Sequence, residues 1–114
     1  MSLDTETRSD ALIVTANMER IDAAIAIQFK DDMRAATEGG HTRVVLDLKN
    51  VSFIDSSGLG AVVAAMKLLA PKQELELAGL TQIVEKVFRL TRMDRVFTIH
   101  ENSDAAFEDI VHSS

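Results

Sequence analysis

The 114-residue chain has no cysteine, tryptophan or tyrosine, one proline and five glycines. Without cysteine there is no disulfide framework, no thiolate nucleophile and no Cys-ligated metal. Five phenylalanines are the whole aromatic complement, too few for a platform on which nucleic-acid bases stack. Positive charge is scarce as well. Twelve Lys and Arg against 18 Asp and Glu leave a net charge of −6, whereas gripping a phosphate backbone takes clustered cations that displace counterions. The longest apolar run, Leu59 to Ala70, is interrupted by Gly60 and Lys67. It falls short of the roughly 20 residues that span a bilayer. Met1 to Asp10 alternates charge and has no apolar signal core. These absences point to a cytoplasmic protein with no nucleic-acid partner and no direct membrane insertion. A soluble module attached to a membrane complex is compatible with them.

What is present is enough for one modest core: 46% apolar and 26% charged residues. One domain over residues 1–114 is expected. Leu3 to Arg8 reads weakly as a strand, and the β-branched run Ala11 to Ala16 reads as a better one. Asp22 reads as an N-cap. Ile21, Ile25, Phe29 and Met33 then form one apolar stripe on a helix of about four turns, closed by Gly39-Gly40. Arg43 to Leu48 reads as a central strand, Ser57 to Ala70 as a second helix stopped at Pro71, and Glu74 to Ala78 as a half-buried strand ending at Gly79. Thr81 is placed to cap a third helix with an apolar face of Ile83, Val84, Val87, Phe88 and Thr91. Val96 to Ile99 reads as the last strand. Ser103 is placed to cap a final helix carrying Phe107, Ile110 and Val111. The order β-β-α-β-α-β-α-β-α predicts an α/β protein: a mixed sheet of about five strands, a single layer covered by about four helices.

The informative stretch is Val51-Ser-Phe-Ile-Asp-Ser-Ser-Gly-Leu-Gly60. It lies between a strand and a helix, so two serines stand at a helix N-terminus, where the first backbone N–H groups lack intrahelical partners. A Ser hydroxyl can accept from one of them. A phosphate ester there would meet the same N–H groups and the positive end of the helix dipole. The following helix carries Lys67 as its only charge up to Ala70. Leu59, Val62, Val63, Met66 and Leu69 suit its buried face. Gly60, Ala61, Ala64 and Leu68 then point largely outward, a small-residue surface that can accept a partner closely. The plainer reading of Asp55-Ser56-Ser57-Gly58 is a turn and a helix cap.

Other chemistries lack their residues. Neither serine sits in a Gly-x-Ser-x-Gly elbow, because Ile54 and Asp55 stand two positions before them. No Gly-Lys-Ser/Thr phosphate loop occurs. His41, His100 and His112 are expected in exposed loops or near the C-terminus and suggest neither a base nor a metal site. Asp31-Asp32 are adjacent and solvated. Lys86, Arg89, Arg92 and Arg95 form a loose basic stripe: a solvated face, or an acidic docking surface. No catalytic residue, metal or cofactor is expected.

The residues also carry a family resemblance. Val44-Val45-Leu46-Asp47-Leu48 followed by Val51 to Gly60 resembles the signature of STAS domains, of the anti-sigma factor antagonist type. Arg20-Ile21-Asp22-Ala23 looks like the family's entry to its first helix. Val87-Phe88, Leu90-Thr91, Met93, Val96-Phe97 and Ala105-Ala106-Phe107 look like its C-terminal half. Two departures lie beside the switch loop: Glu19 where a Gly often stands, and no early Pro in the first helix. The resemblance implies a binding module that is not itself an enzyme. Its phosphoacceptor is the second serine, Ser57, with Ser56 as the alternative. Its partner surface comprises Asp55, Ser56, Ser57, Gly58, Leu59, Gly60, Ala61, Ala64 and Leu68. The implied partners are a GHKL-type serine kinase that doubles as the anti-sigma factor, and a PP2C-type phosphatase. The alternative is a STAS subunit of a membrane transport complex, for instance for lipid, that needs no phosphorylation. A pocket for a small ligand or nucleotide is a further reading, for which no converging polar groups are visible.

Overall fold

In the computed structural model, residues 3–107 are described. β1 (Leu3–Arg8) and β2 (Ala11–Ala16) form an antiparallel hairpin. β4 (Arg43–Asp47), β6 (Glu74–Ala78) and β7 (Ile99–His100) extend it in parallel, giving the five-stranded order β1-β2-β4-β6-β7. A second sheet of two short parallel strands, β3 (Arg20–Ile21) and β5 (Phe53–Ile54), sits apart from the first. The helices are α1 (Ala26–Ala36), α2 (Ser56–Leu69) and α3 (Gln82–Leu90).

Strand alternation sorts the side chains by face. Leu12 and Val14, Val44 and Leu46, and Leu75 and Leu77 join Phe29 and Met33 of α1, Val62 and Ala65 of α2, and Val84 and Phe88 of α3 in the main core. Ile13, Val45 and Ala78 point to the other face, where Ala106 covers them and Phe107 packs alongside. There Arg43 reaches Glu76 through two bonds of 2.6 and 2.7 Å and donates to the Ala106 carbonyl at 2.6 Å. His100 Nε2 stands 2.6 Å from the same Glu76 carboxylate. Burial pushes the Glu76 carboxyl upward, but its bonds to Arg43 and His100 outweigh that and hold it below the ordinary carboxylate range. The Arg43 guanidinium is raised in turn, chiefly by its hydrogen bond to Glu76.

Several expectations need correction. Asp22 does not cap a helix. Its carboxylate accepts from the Ala24 N–H at 3.1 Å and heads a turn, and α1 begins four residues later. Ile21 therefore belongs to β3, and α1 is an 11-residue helix whose buried residues are Phe29 and Met33. Thr81 holds the N-cap position of α3, yet its hydroxyl donates to the Val51 carbonyl at 2.7 Å rather than capping. Ile83 is exposed, since α3 meets the core through Val84 and Phe88. The last strand is Ile99–His100, because a 3-10 turn at Met93–Arg95 delays it. His100 is therefore half-buried in a strand, not in a loop. Among the described residues three α-helices are formed where about four were expected; Ala105–Phe107 is a 3-10 turn, and Asn102 rather than Ser103 accepts from the Ala105 N–H. Ile110, Val111 and His112 lie outside the described residues.

Candidate functional site

The small sheet β3/β5 places the site. The Glu19 carbonyl accepts from the N–H groups of Ser52 and Phe53, and the Asp55 N–H donates to the Ile21 carbonyl at 3.3 Å. The chain thus leaves β5 with Asp55 in extended conformation at the head of α2. Asp55 is the cap: Oδ1 accepts from the Gly58 N–H at 2.8 Å. Its second oxygen, Oδ2, accepts from the Ala23 N–H at 3.2 Å. One carboxylate thereby ties the first turn of α2 to the loop that leads into α1. Gly58 is what lets the two come together. A Cβ built on it would lie 1.8 Å from the Ile21 carbonyl oxygen. Only hydrogen fits there.

Since Asp55 caps α2, Ser57 does not, contrary to one reading of the sequence. Ser56 and Ser57 are the first two residues of the helix, and both are exposed. Among the described residues neither hydroxyl makes a hydrogen bond. Ser57 differs from Ser56 in what it adjoins. With Gly60, Ala61 and Ala64 of α2, and Ala26, Ile27 and Lys30 of α1, it lines a groove between the two helices. A second concavity continues from Lys30 and Ala64 past Arg34 and Lys67 to Leu68. The groove therefore runs from Ser57 along α2 to Leu68. Ser56 does not line it.

Of the expected partner surface, Gly60 and Leu68 are exposed and Leu59 and Ala64 are half-buried. Gly58 is buried against β3, and Asp55 is engaged in its two bonds. Ala61 corrects the expectation that it points outward. It is 5% exposed, because α1 packs over that turn of α2, and only its edge reaches the groove. The α1 wall was missed from the sequence altogether. Ile27 falls off the stripe of Ile25, Phe29 and Met33 and is 72% exposed. That mismatch is the one signal that could have marked it. Lys30 and Lys67 bring positive charge to the groove, and among the described residues neither joins an ion pair. No group of His, Asp and Glu among the described residues could hold a metal. No described helix is long and apolar enough to cross a membrane.

The STAS domain model matches residues 2–106. The chain belongs to the STAS domain family. A relative, BtrV of Bordetella bronchiseptica, named as a candidate anti-sigma factor antagonist, is 30% identical over 90% of this chain and 89% of its own. A solved anti-sigma-factor antagonist (STAS) domain protein from Planctomyces limnophilus superposes with a TM-score of 0.83 at 18% identity, covering 98% of each chain. The anti-sigma factor antagonist SpoIIAA in its unphosphorylated form gives 0.73 at 20% identity over 96% of both chains. Its phosphorylated form, from Bacillus, gives 0.66 at 20% identity over 95% of this chain and 98% of the other. These three structural matches, each under 25% identity, share the fold. The curated relatives of this STAS chain, BtrV and a Staphylococcus aureus protein 23% identical over 91% of this chain and 96% of its own, are named as anti-sigma and anti-sigma-B factor antagonists.

Proposed function

We propose that this STAS protein is a cytoplasmic anti-sigma factor antagonist that works by partner switching. Unphosphorylated, it binds a GHKL-type serine kinase that also serves as the anti-sigma factor, and so frees a sigma factor or another client. Phosphorylation of Ser57 releases it, and a PP2C-type phosphatase restores the binding form. In this cycle the protein is substrate and ligand, not catalyst. The observation that carries the reading is the division of labour at the head of α2. Asp55 caps the helix, while Ser57 keeps an exposed hydroxyl on the rim of a groove floored by Gly60, Ala61 and Ala64. A phosphate adds about −1.5 to −2 charges beside a surface of small apolar residues, so a partner seated there would have to bury it. The fold does not depend on that hydroxyl. The same contrast favours Ser57 over Ser56, which is also exposed but lies outside the groove. SpoIIAA, a structural neighbour, has been solved in both unphosphorylated and phosphorylated forms, in keeping with a switch of this kind.

The test is phosphopeptide mapping of the protein from its own cells in several growth states, joined to partner binding. Trypsin releases Ser52, Ser56 and Ser57 on one peptide between Lys49 and Lys67, so fragmentation must place the phosphate. Phosphate on Ser57 that varies with growth state is expected. Ser57→Ala should hold the kinase, and Ser57→Glu should bind at least about tenfold more weakly, near 1.4 kcal/mol. No phosphate in any state, with equal binding of all forms, would instead favour a constitutive subunit of a transport complex.

A further inference from the structure

Among the described residues five large apolar side chains are exposed: Ile27, Leu68, Ile83, Leu90 and Val96. Ile27 and Leu68 flank the α1–α2 groove. The other three lie on α3 and the turn that follows it, a surface the switch does not use. α3 meets the core through Val84 and Phe88, both fully buried. It carries a second apolar line at i, i+4 and i+7, namely Ile83, Val87 and Leu90. Val87 is half-buried against the core, while Ile83 is 60% and Leu90 72% exposed. Two helical turns, about 10 Å, separate the outer pair. Lys86 and Arg89 border the line, and Arg92 and Arg95 continue it; all four are exposed. Residues 86–95 hold four cations and one carboxylate, Asp94, for a net +3 in a chain of net −6, leaving −9 elsewhere. Glu85 reaches Arg89 at 3.3 Å, but the pair is exposed and holds the guanidinium only loosely.

We propose that α3 is a second docking surface, for an acidic amphipathic helix of a partner protein. Apolar side chains of that helix would seat on Ile83, Val87 and Leu90, and its carboxylates on Lys86, Arg89 and Arg92. The spacing is that of helix-on-helix recognition, which anchors at i, i+3/i+4 and i+7. Three of the four cations are arginines, whose planar fork matches a carboxylate with two parallel bonds. A second copy of this chain fits badly, because face-to-face pairing would set Lys86 and Arg89 against their own counterparts. An anionic membrane also fits badly, because a flat surface would meet the acidic remainder of the molecule as well. The stripe shares no residue with the groove at Ser57, so docking is independent of the state of that serine.

The test uses the full chain and a synthetic peptide of roughly 20 residues, helical, with Leu at i, i+4 and i+7 flanked by Glu, alongside a version with every Glu replaced by Lys. Amide shifts are followed by NMR during titration. The expected result is shifts concentrated at residues 82–96 with the Glu peptide and none with the Lys peptide. Affinity should fall at least about tenfold in Leu90→Ser and in the double variant Lys86→Glu, Arg89→Glu, each with unchanged melting temperature. The same loss should occur with phosphoserine installed at position 57 and without it. No shift at these residues up to about 1 mM peptide, or equal binding of both peptides, overturns the proposal. So does a dimer, or binding to phosphatidylglycerol vesicles, that Leu90→Ser abolishes.

Discussion

Two glycines stand two positions apart on α2, and the same substitution at each should move stability in opposite directions. At Gly58 an added Cβ falls 1.8 Å from the Ile21 carbonyl oxygen and 2.6 Å from its carbon. Both are backbone atoms of β3 and cannot swing aside. Ordinary contact begins near 3.4 Å, so strand and helix must part by more than 1 Å. That movement pulls apart the Asp55 Oδ1–Gly58 N–H bond of 2.8 Å and the Asp55 N–H–Ile21 carbonyl bond of 3.3 Å. Overpacking costs about 1–3 kcal/mol and a lost cap about 1 kcal/mol. The better helix propensity of Ala returns about 1 kcal/mol. Gly58→Ala is therefore expected to destabilise by about 1–3 kcal/mol. At Gly60 nothing lies within 4 Å of the added carbon, and Gly60→Ala should stabilise by about 0.5–1 kcal/mol. Urea unfolding followed by far-ultraviolet circular dichroism measures both, since a chain without Trp or Tyr offers little intrinsic fluorescence. At about 4 °C or more per kcal/mol, the melting temperatures should separate by at least about 6 °C. Gly58→Ala as stable as the wild type would refute the claim that β3 and α2 meet through a hydrogen-sized gap. Gly60→Ala has a second readout. Its methyl enters the groove beside Ser57, so it should weaken binding of the proposed kinase partner while strengthening the fold.

Asp55→Ala removes two hydrogen bonds and should cost about 2 kcal/mol; Asp55→Asn retains one acceptor oxygen and should cost about half, both read from urea midpoints. Glu76→Gln should lose about 2 kcal/mol at pH 7, because Arg43 and His100 lose their charged acceptor. The deficit is also pH-dependent. The folded carboxyl titrates below its ordinary value, so its contribution is complete above the unfolded value of about 4.3 and is lost as pH falls through the lower native value. The gap between wild type and Glu76→Gln should close across that acid range; a gap that stays constant down to pH 3 would show that the folded Glu76 carboxyl is not held below its ordinary value.

Much of the sheet was legible because it repeats. β1, β2 and β6 fall where alternation and β-branched runs place them, and β4 ends one residue early, at Asp47. The two-residue strands β3 and β5 were not legible, because two residues carry no period, and with them went the true start of α1. Ile21 sat in helical register with Ile25 by coincidence, four positions ahead of it. That two serines stand at the head of α2, and that small residues follow along it, could be read from the motif. The role of Asp55 could not, since an Asp before two serines leaves open which of the three side chains caps. Distance decides it: the carboxylate reaches Gly58 and Ala23 together. His100 was misjudged for a related reason. Its partners, Glu76 and through it Arg43, come from strands 24 and more residues away in sequence, and no local pattern reports such a pairing.

The Asp55 cap has a consequence for the proposed switch that goes beyond stability. Were Ser57 the cap, its oxygen would be committed to a backbone N–H, and esterifying it would disturb the helix in the same step that alters the surface. With Asp55 in that role, modification and folding are decoupled. The first turn keeps its cap bond, while a phosphate on Ser57 lies near the positive end of the α2 dipole, which favours it by some tenths of a kcal/mol to about 1 kcal/mol. Lys30, lining the same groove as Ser57, adds a second favourable charge. The phosphorylated fold should thus be no less stable than the unmodified one. The whole energetic penalty of the added charge then falls on the complex, where a partner over the groove would have to desolvate it. A serine that left its helix intact only when unmodified would spend part of the signal on unfolding its own domain. Under the proposed switch the added charge would act on affinity alone, and comparing the urea midpoints of the Ser57-phosphorylated and unmodified proteins tests this: equal or higher for the phosphoprotein if Asp55 alone holds the turn, lower by about 1 kcal/mol if it does not.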